Sequence, residues 1–168
     1  MPATYEPIAT TTLGSTATTI TFSSISSAYT DLVCILVGRQ TTFGYQPGIQ
    51  FNSDTAGNYS ATELFGDGSA ASSLRETNAT YINSARGTEL STTIPSFVKF
   101  NIFSYRGSTN KTVLTEYAGD YNGSGVVERT VGLWRNTSAI TSLTIMSANG
   151  SGNLAIGTTA TLYGILKA

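Results

Sequence analysis

Residues 32–37 read Leu-Val-Cys-Ile-Leu-Val, an unbroken apolar run closed by Asp31 on one side and Gly38 on the other. The run is short for a helix and rich in β-branched side chains, so it reads as a strand. A strand apolar on both sides calls for cover on both of its faces. That requirement points to a packed sandwich in which residues 30–39 form a central strand.

The rest of the chain agrees with an all-β fold. Apolar marks at period two, bounded by Gly, Asn and Ser, predict strands over residues 8–13, 16–23, 49–52 and 59–65, with a short one over 80–82. Pro95 opens a further strand in which Val98, Phe100 and Ile102 alternate with Phe97, Lys99 and Asn101; its missing N–H costs least at such a start. Residues 111–118 set Val113 and Tyr117 opposite Leu114 and Glu116. The last stretch, 131–168, is expected to close the core. Val131 and Leu133 should face inward there, with Trp134 and Arg135 turned away, followed by strands over 140–145 and 159–166 that set Leu162 opposite Tyr163. Residues 40–48, 66–78 and 83–93 read as loops, and 147–152 as a turn-rich connection. About ten strands with turns every 8–12 residues predict one β-sandwich domain of jelly-roll type over residues 1–168.

Composition narrows the function. Charged residues make up 11% of the chain and the formal net charge is −1, so no electrostatic footprint for nucleic acid or an anionic membrane is expected. No stretch approaches the roughly 18 apolar residues of a membrane span. The N-terminal residues lack the basic and then apolar segments of a secretory leader, which predicts synthesis in a cytoplasm. A lightly charged surface desolvates at lower cost, and aromatic residues in the loop-forming stretches (Phe43, Tyr45, Tyr59, Phe65, Tyr121) resemble interface composition, so association with neighbours is expected.

Chemistry is sparse. With no His, the usual triad and the usual transition-metal site are both missing. The single cysteine, Cys34, sits inside the apolar run and reads as a small buried hydrophobe. Asp54, Glu63 and Asp67 could act as paired carboxylates of a polysaccharide depolymerase only if two of them flank one cleft. Residues 52–58 place side-chain oxygens at alternate positions, as a calcium loop does, but a hairpin turn explains the same pattern without the downstream Glu of an EF-hand. Trp134 has two readings, a platform for a sugar ring or a core anchor whose N–H is bonded. No cofactor or metal is expected. Tyr5, Ile8, Phe43, Tyr45, Tyr59 and Trp134 are the candidate contact or ligand surface.

A set of motifs in conserved order carries a resemblance. They are Tyr5-Glu6-Pro7-Ile8-Ala9-Thr10-Thr11-Thr12-Leu13, Ile20-Thr21-Phe22-Ser23-Ser24-Ile25 leading to Tyr29-Thr30-Asp31-Leu32, Gln50-Phe51-Asn52-Ser53-Asp54 with Asn58-Tyr59-Ser60, and Lys111-Thr112-Val113-Leu114. Gly132-Leu133-Trp134-Arg135-Asn136-Thr137 with Ala139-Ile140-Thr141, and residues 157–165, complete the set. Over nearly its whole length the chain resembles small β-sandwich virion proteins of tailed bacteriophages, notably those of aquatic bacteria such as cyanobacteria. The resemblance implies a non-enzymatic structural protein on the virion exterior, foremost a capsid decoration (cement) protein that clamps the major capsid protein as a homotrimer. The alternative it implies is a tail-fibre or receptor-binding module for host surface glycans. Residues 5–13 and the loops 40–47 and 86–93 are the expected contact regions.

Overall fold

The computed structural model describes residues 4–42, 46–84, 90–147 and 152–166. Among them are twelve strands and no helix: β1 Tyr5–Thr12, β2 Thr19–Phe22, β3 Asp31–Gly38, β4 Pro47–Phe51, β5 Tyr59–Gly66, β6 Ala71–Ala79, β7 Ile82–Asn83, β8 Ser96–Phe103, β9 Lys111–Asp120, β10 Gly125–Trp134, β11 Leu143–Ser147 and β12 Thr159–Ile165. They form two antiparallel sheets, one of eight strands in the order β1-β12-β3-β8-β9-β10-β5-β6 and one of four in the order β2-β11-β4-β7. The all-β sandwich is therefore present. Its unequal division, eight strands against four, does not establish the jelly-roll type.

The sheets share one core. From the large sheet come Leu32, Cys34, Leu36, Val98, Phe100, Ile102, Val113 and Leu162; from the small one come Ile20, Ile49, Phe51, Leu143 and Ile145. At one end Trp134 of β10 and Tyr59 of β5 stack with centroids 6.2 Å apart, and Phe51 of β4 lies 5.6 Å from the indole, tying the two sheets together. Gly132 allows a close approach beside them. A Cβ there would stand 2.5 Å from the Ile82 side chain, so the β7 strand can press onto β10 only because that position has none.

Three expectations change. Residues 66–78, read as a polar loop, hold β6, a nine-residue strand that pairs only with β5 and ends the sheet. Its side chains are exposed or half-buried, so no apolar alternation marks it; backbone pairing with β5 alone makes it a strand. In β10 the alternation runs opposite to expectation. Trp134, Gly132, Thr130 and Glu128 face inward, whereas Val131 and Val127 lie exposed. The bulk of the Trp134 ring decides the face, and period two then carries the polar residues inside, where Thr130 Oγ1 donates to Glu128 Oε1 at 3.2 Å. Finally, β3 has its inner face covered, but on its outer face Val37 is exposed and Ile35 half-buried. Val33, towards the Asp31 end of that face, is buried, whereas Ile35 and Val37 keep no covering layer among the described residues.

The closing stretch is an interior element, since β12 lies between β1 and β3. Edge β1 carries Pro7 and a register shift between Pro7 and Ala9, both of which discourage further strand pairing.

Candidate functional site

Most of the exposed large hydrophobic side chains among the described residues lie on the outward face of the eight-stranded sheet, and strand register arranges that face in rows. One row runs Val131, Leu114, Asn101, Val33, Tyr163 across β10, β9, β8, β3 and β12. The next runs Leu64, Arg129, Glu116, Lys99, Ile35, and a third runs Gly66, Val127, Ala118, Phe97, Val37. Leu64 is 59% exposed, Val127 61% and Val131 53%; Phe97, Phe103 and Val37 are exposed too. Two apolar rows thus flank a charged one. In the charged row the Glu116 carboxylate takes Arg129 at 3.1 Å and Lys99 at 3.8 Å. In water such pairs add little to stability, on the order of 0–1 kcal/mol. They do let the two cations and the carboxylate share one apolar face.

Beside this row, Leu64, Gly66, Ala71 and Val127 line a shallow depression of about 260 Å³ between β10, β5 and the start of β6. Phe65, Glu128 and Arg129 complete its lining.

The expected site residues fall in different places. Tyr5 is exposed on β1, its ring edge-on to Tyr163 at 6.5 Å, and Ile8 is half-buried against the core. These two belong to the sheet edge. Tyr59 and Trp134 do not belong to the surface: both are fully buried in the ring cluster, so neither presents a face to a sugar or a partner. Phe43 and Tyr45 lie outside the described residues, as do 86–89 of the loop 86–93 and 148–151 of the connection 147–152.

Asp54 resolves the second Trp134 reading and the calcium-like loop together. Its Oδ2 accepts from Trp134 Nε1 at 2.8 Å and from Asn58 Nδ2 at 2.9 Å, and its Oδ1 accepts from Ala56 N at 3.0 Å. Partial burial by itself raises this carboxyl pKa. The hydrogen bonds from Asn58, Trp134, Ala56 and Asn136 outweigh that effect and hold it below the ordinary carboxylate range. The loop is neither an ion site nor the hairpin turn its residues suggest: it carries the chain from β4 of the small sheet to β5 of the large one, and its carboxylate caps the indole. Asp67, at the far end of β5, accepts from Ser69 N at 2.8 Å and Ala70 N at 2.9 Å, and those bonds lower its pKa. Glu63 lies between them on the buried face of β5. The three carboxylates expected as a depolymerase pair therefore occupy the two ends and the inside of one strand, and flank no common cleft. Among the described residues no group of three or more Cys, Asp or Glu side chains is placed to hold a metal ion. Burial pushes the Cys34 thiol far up, away from thiolate chemistry.

No protein-family model, no curated protein and no solved structure matches this chain.

Proposed function

We propose that this chain is a non-enzymatic structural protein on the outside of a tailed-phage particle, serving as a capsid decoration protein that clamps capsid subunits. The motifs that resemble small virion sandwich proteins supply the setting. One structural observation supports the role: exposed apolar side chains of four strands, Val37, Phe97, Val127, Val131 and Leu64 among them, gather on one face of the large sheet. A flat face several strands wide suits contact with another folded protein, because it buries apolar area without needing a small ligand to fill it. The two open edges, β1 with exposed Tyr5 and the long, solvated β6, add backbone and hydroxyl groups for contact with a shell protein. Many equivalent copies would let modest contacts sum over the capsid.

The glycan-binding, tail-fibre alternative has less support. Of the aromatic residues on which it rests, Tyr59 and Trp134 are core residues, and Tyr45 lies outside the described residues. Cryo-electron microscopy of the intact particle tests the reading. Density for this sandwich repeated over the shell lattice is the expected result; density confined to the tail, or none on the particle, overturns it.

A further inference from the structure

We infer that the outward face of the eight-stranded sheet pairs with the same face of a second copy about a twofold axis running between β9 and β10. The inference rests on the same face that supports the decoration reading, and its test, the oligomeric state of the chain, is separate from the density on the particle.

A twofold axis lying in the plane of the face and parallel to its strands lays each cross-strand row over itself with its order reversed. Placed midway between β9 and β10, it sets β9 over the partner's β10, β8 over its β5 and β3 over its β6, given the strand order. The register then makes the rows complementary. Glu116 meets Arg129 of the second copy and Arg129 meets its Glu116, so the bridge already present within each chain is repeated between chains. Leu114 meets Val131 on one side of this charged pair, and Ala118 meets Val127 on the other. Phe97 comes over Gly66 of the second copy, where Leu64, Ala71 and Val127 wall the depression of about 260 Å³. A large ring opposite a glycine is the knob-and-hole relation that sheet packing favours. Shifting the axis onto β9 instead would stack Glu116 on Glu116 and Arg129 on Lys99, which charge opposes; midway between β8 and β9, Glu116 would meet Lys99 but Leu114 would fall on Asn101, so charge and the apolar rows together favour the position between β9 and β10.

The size fits as well. Six strands overlap about this axis, and with roughly 4.8 Å between strands and 3.3 Å per residue they cover about 750 Å² per copy. That is close to the ~800 Å² per partner of an ordinary stable interface. The second copy also supplies the cover that the β3 run calls for at Val37 and Ile35. Strands β12 and β1 remain outside the overlap, leaving Tyr5 and the N-terminal edge free for a different contact. The assembly this face supports is a twofold pair, in place of the trimer expected from the resemblance.

Sedimentation velocity of the full chain from low micromolar to millimolar concentration tests the pairing. The expected result is a reversible dimer that is weakened about tenfold or more by Glu116→Arg or by Arg129→Glu alone. Mixing those two variants should restore the dimer as a heterodimer, because each then presents the charges that the other lacks. Val131→Asp should dissociate it too, and since Val131 is exposed, the fold should persist by circular dichroism. A monomer at every concentration, a trimer, or a dimer indifferent to all three substitutions overturns the inference. Any of these leaves the capsid reading to be judged by the density on the particle.

Discussion

Trp134 is held at both ends of its chemistry: its ring by Tyr59 and Phe51, and its N–H by the Asp54 carboxylate. Replacing Asp54 by Ala leaves that donor and the Asn58 amide without their acceptor. Hydrogen bonds to a charged group are worth about 1.5–3 kcal/mol, so chemical denaturation should show a loss of that order. Because the folded-state pKa of Asp54 is depressed, its contribution is present above the unfolded carboxylate pKa and disappears as pH falls through the folded value. Stability should therefore decline below about pH 4, and Asp54→Asn should flatten that decline, as a denaturation series across acidic pH would show. Cys34 offers a second check at this scale. Its thiol is fully buried and its pKa is raised, so a thiol reagent should label the native chain only at the rate of unfolding. Fast labelling of the native protein would contradict the packing of β3.

Strands β6 and β9 differ in how much holds them. Strand β9 has partners on both sides, β8 and β10, and a buried inner face of Lys111, Val113, Thr115 and Tyr117. Strand β6 has one partner and no buried side chain. Native-state hydrogen exchange should accordingly give protection close to the global value along β9 and far less along β6. A proline at Thr115 should prevent folding, whereas one at Thr77 should leave a folded sandwich with a frayed edge. Comparable protection in β6 and β9 in a monomeric sample would show that something else holds β6. The Gly132 approach gives a sharper element-level test. Gly132→Ala drives a methyl group into Ile82 between β10 and β7 and should cost about 1–3 kcal/mol, measured as a shift of the urea midpoint.

Topology sets how the molecule as a whole tolerates truncation. The first and last strands pair with each other, but they are not equivalent: β1 is an edge, and β12 stands inside the sheet with Ala160 and Leu162 in the core. Removing residues 1–12 should leave a weakened but cooperative fold. Removing residues 159–168 uncovers Cys34 and Leu36 and deprives both β1 and β3 of their partner, so no native state should form. Near-ultraviolet circular dichroism of the two truncated chains, read at the buried Trp134, distinguishes these outcomes. A folded chain lacking β12 would refute the strand order.

Much of the architecture was legible along the chain because its signals are local. Period-two alternation located β8, β9 and β12 and separated their two faces, and the apolar run of residues 32–37 located β3 as an interior strand. Turn residues placed most of the boundaries between them. Three things had no local signal. Strand β6 carries no apolar alternation, its few apolar residues being Ala71, Leu74 and Ala79 and its side chains mostly exposed; only its pairing with β5 makes it a strand. The facing of β10 went against its apolar residues, because one large ring at Trp134 committed the whole strand through its period. Tyr59 was expected at the surface, and Trp134 stood between a sugar platform and a core anchor; it is the meeting of β10, β5 and β4, segments distant in the chain, that buries both and makes Trp134 the anchor. The apolar outward face arises in the same way. Leu64, Val127, Val131, Leu114 and Phe97 sit on four separate strands, and only the register between those strands gathers them beside one row of charge.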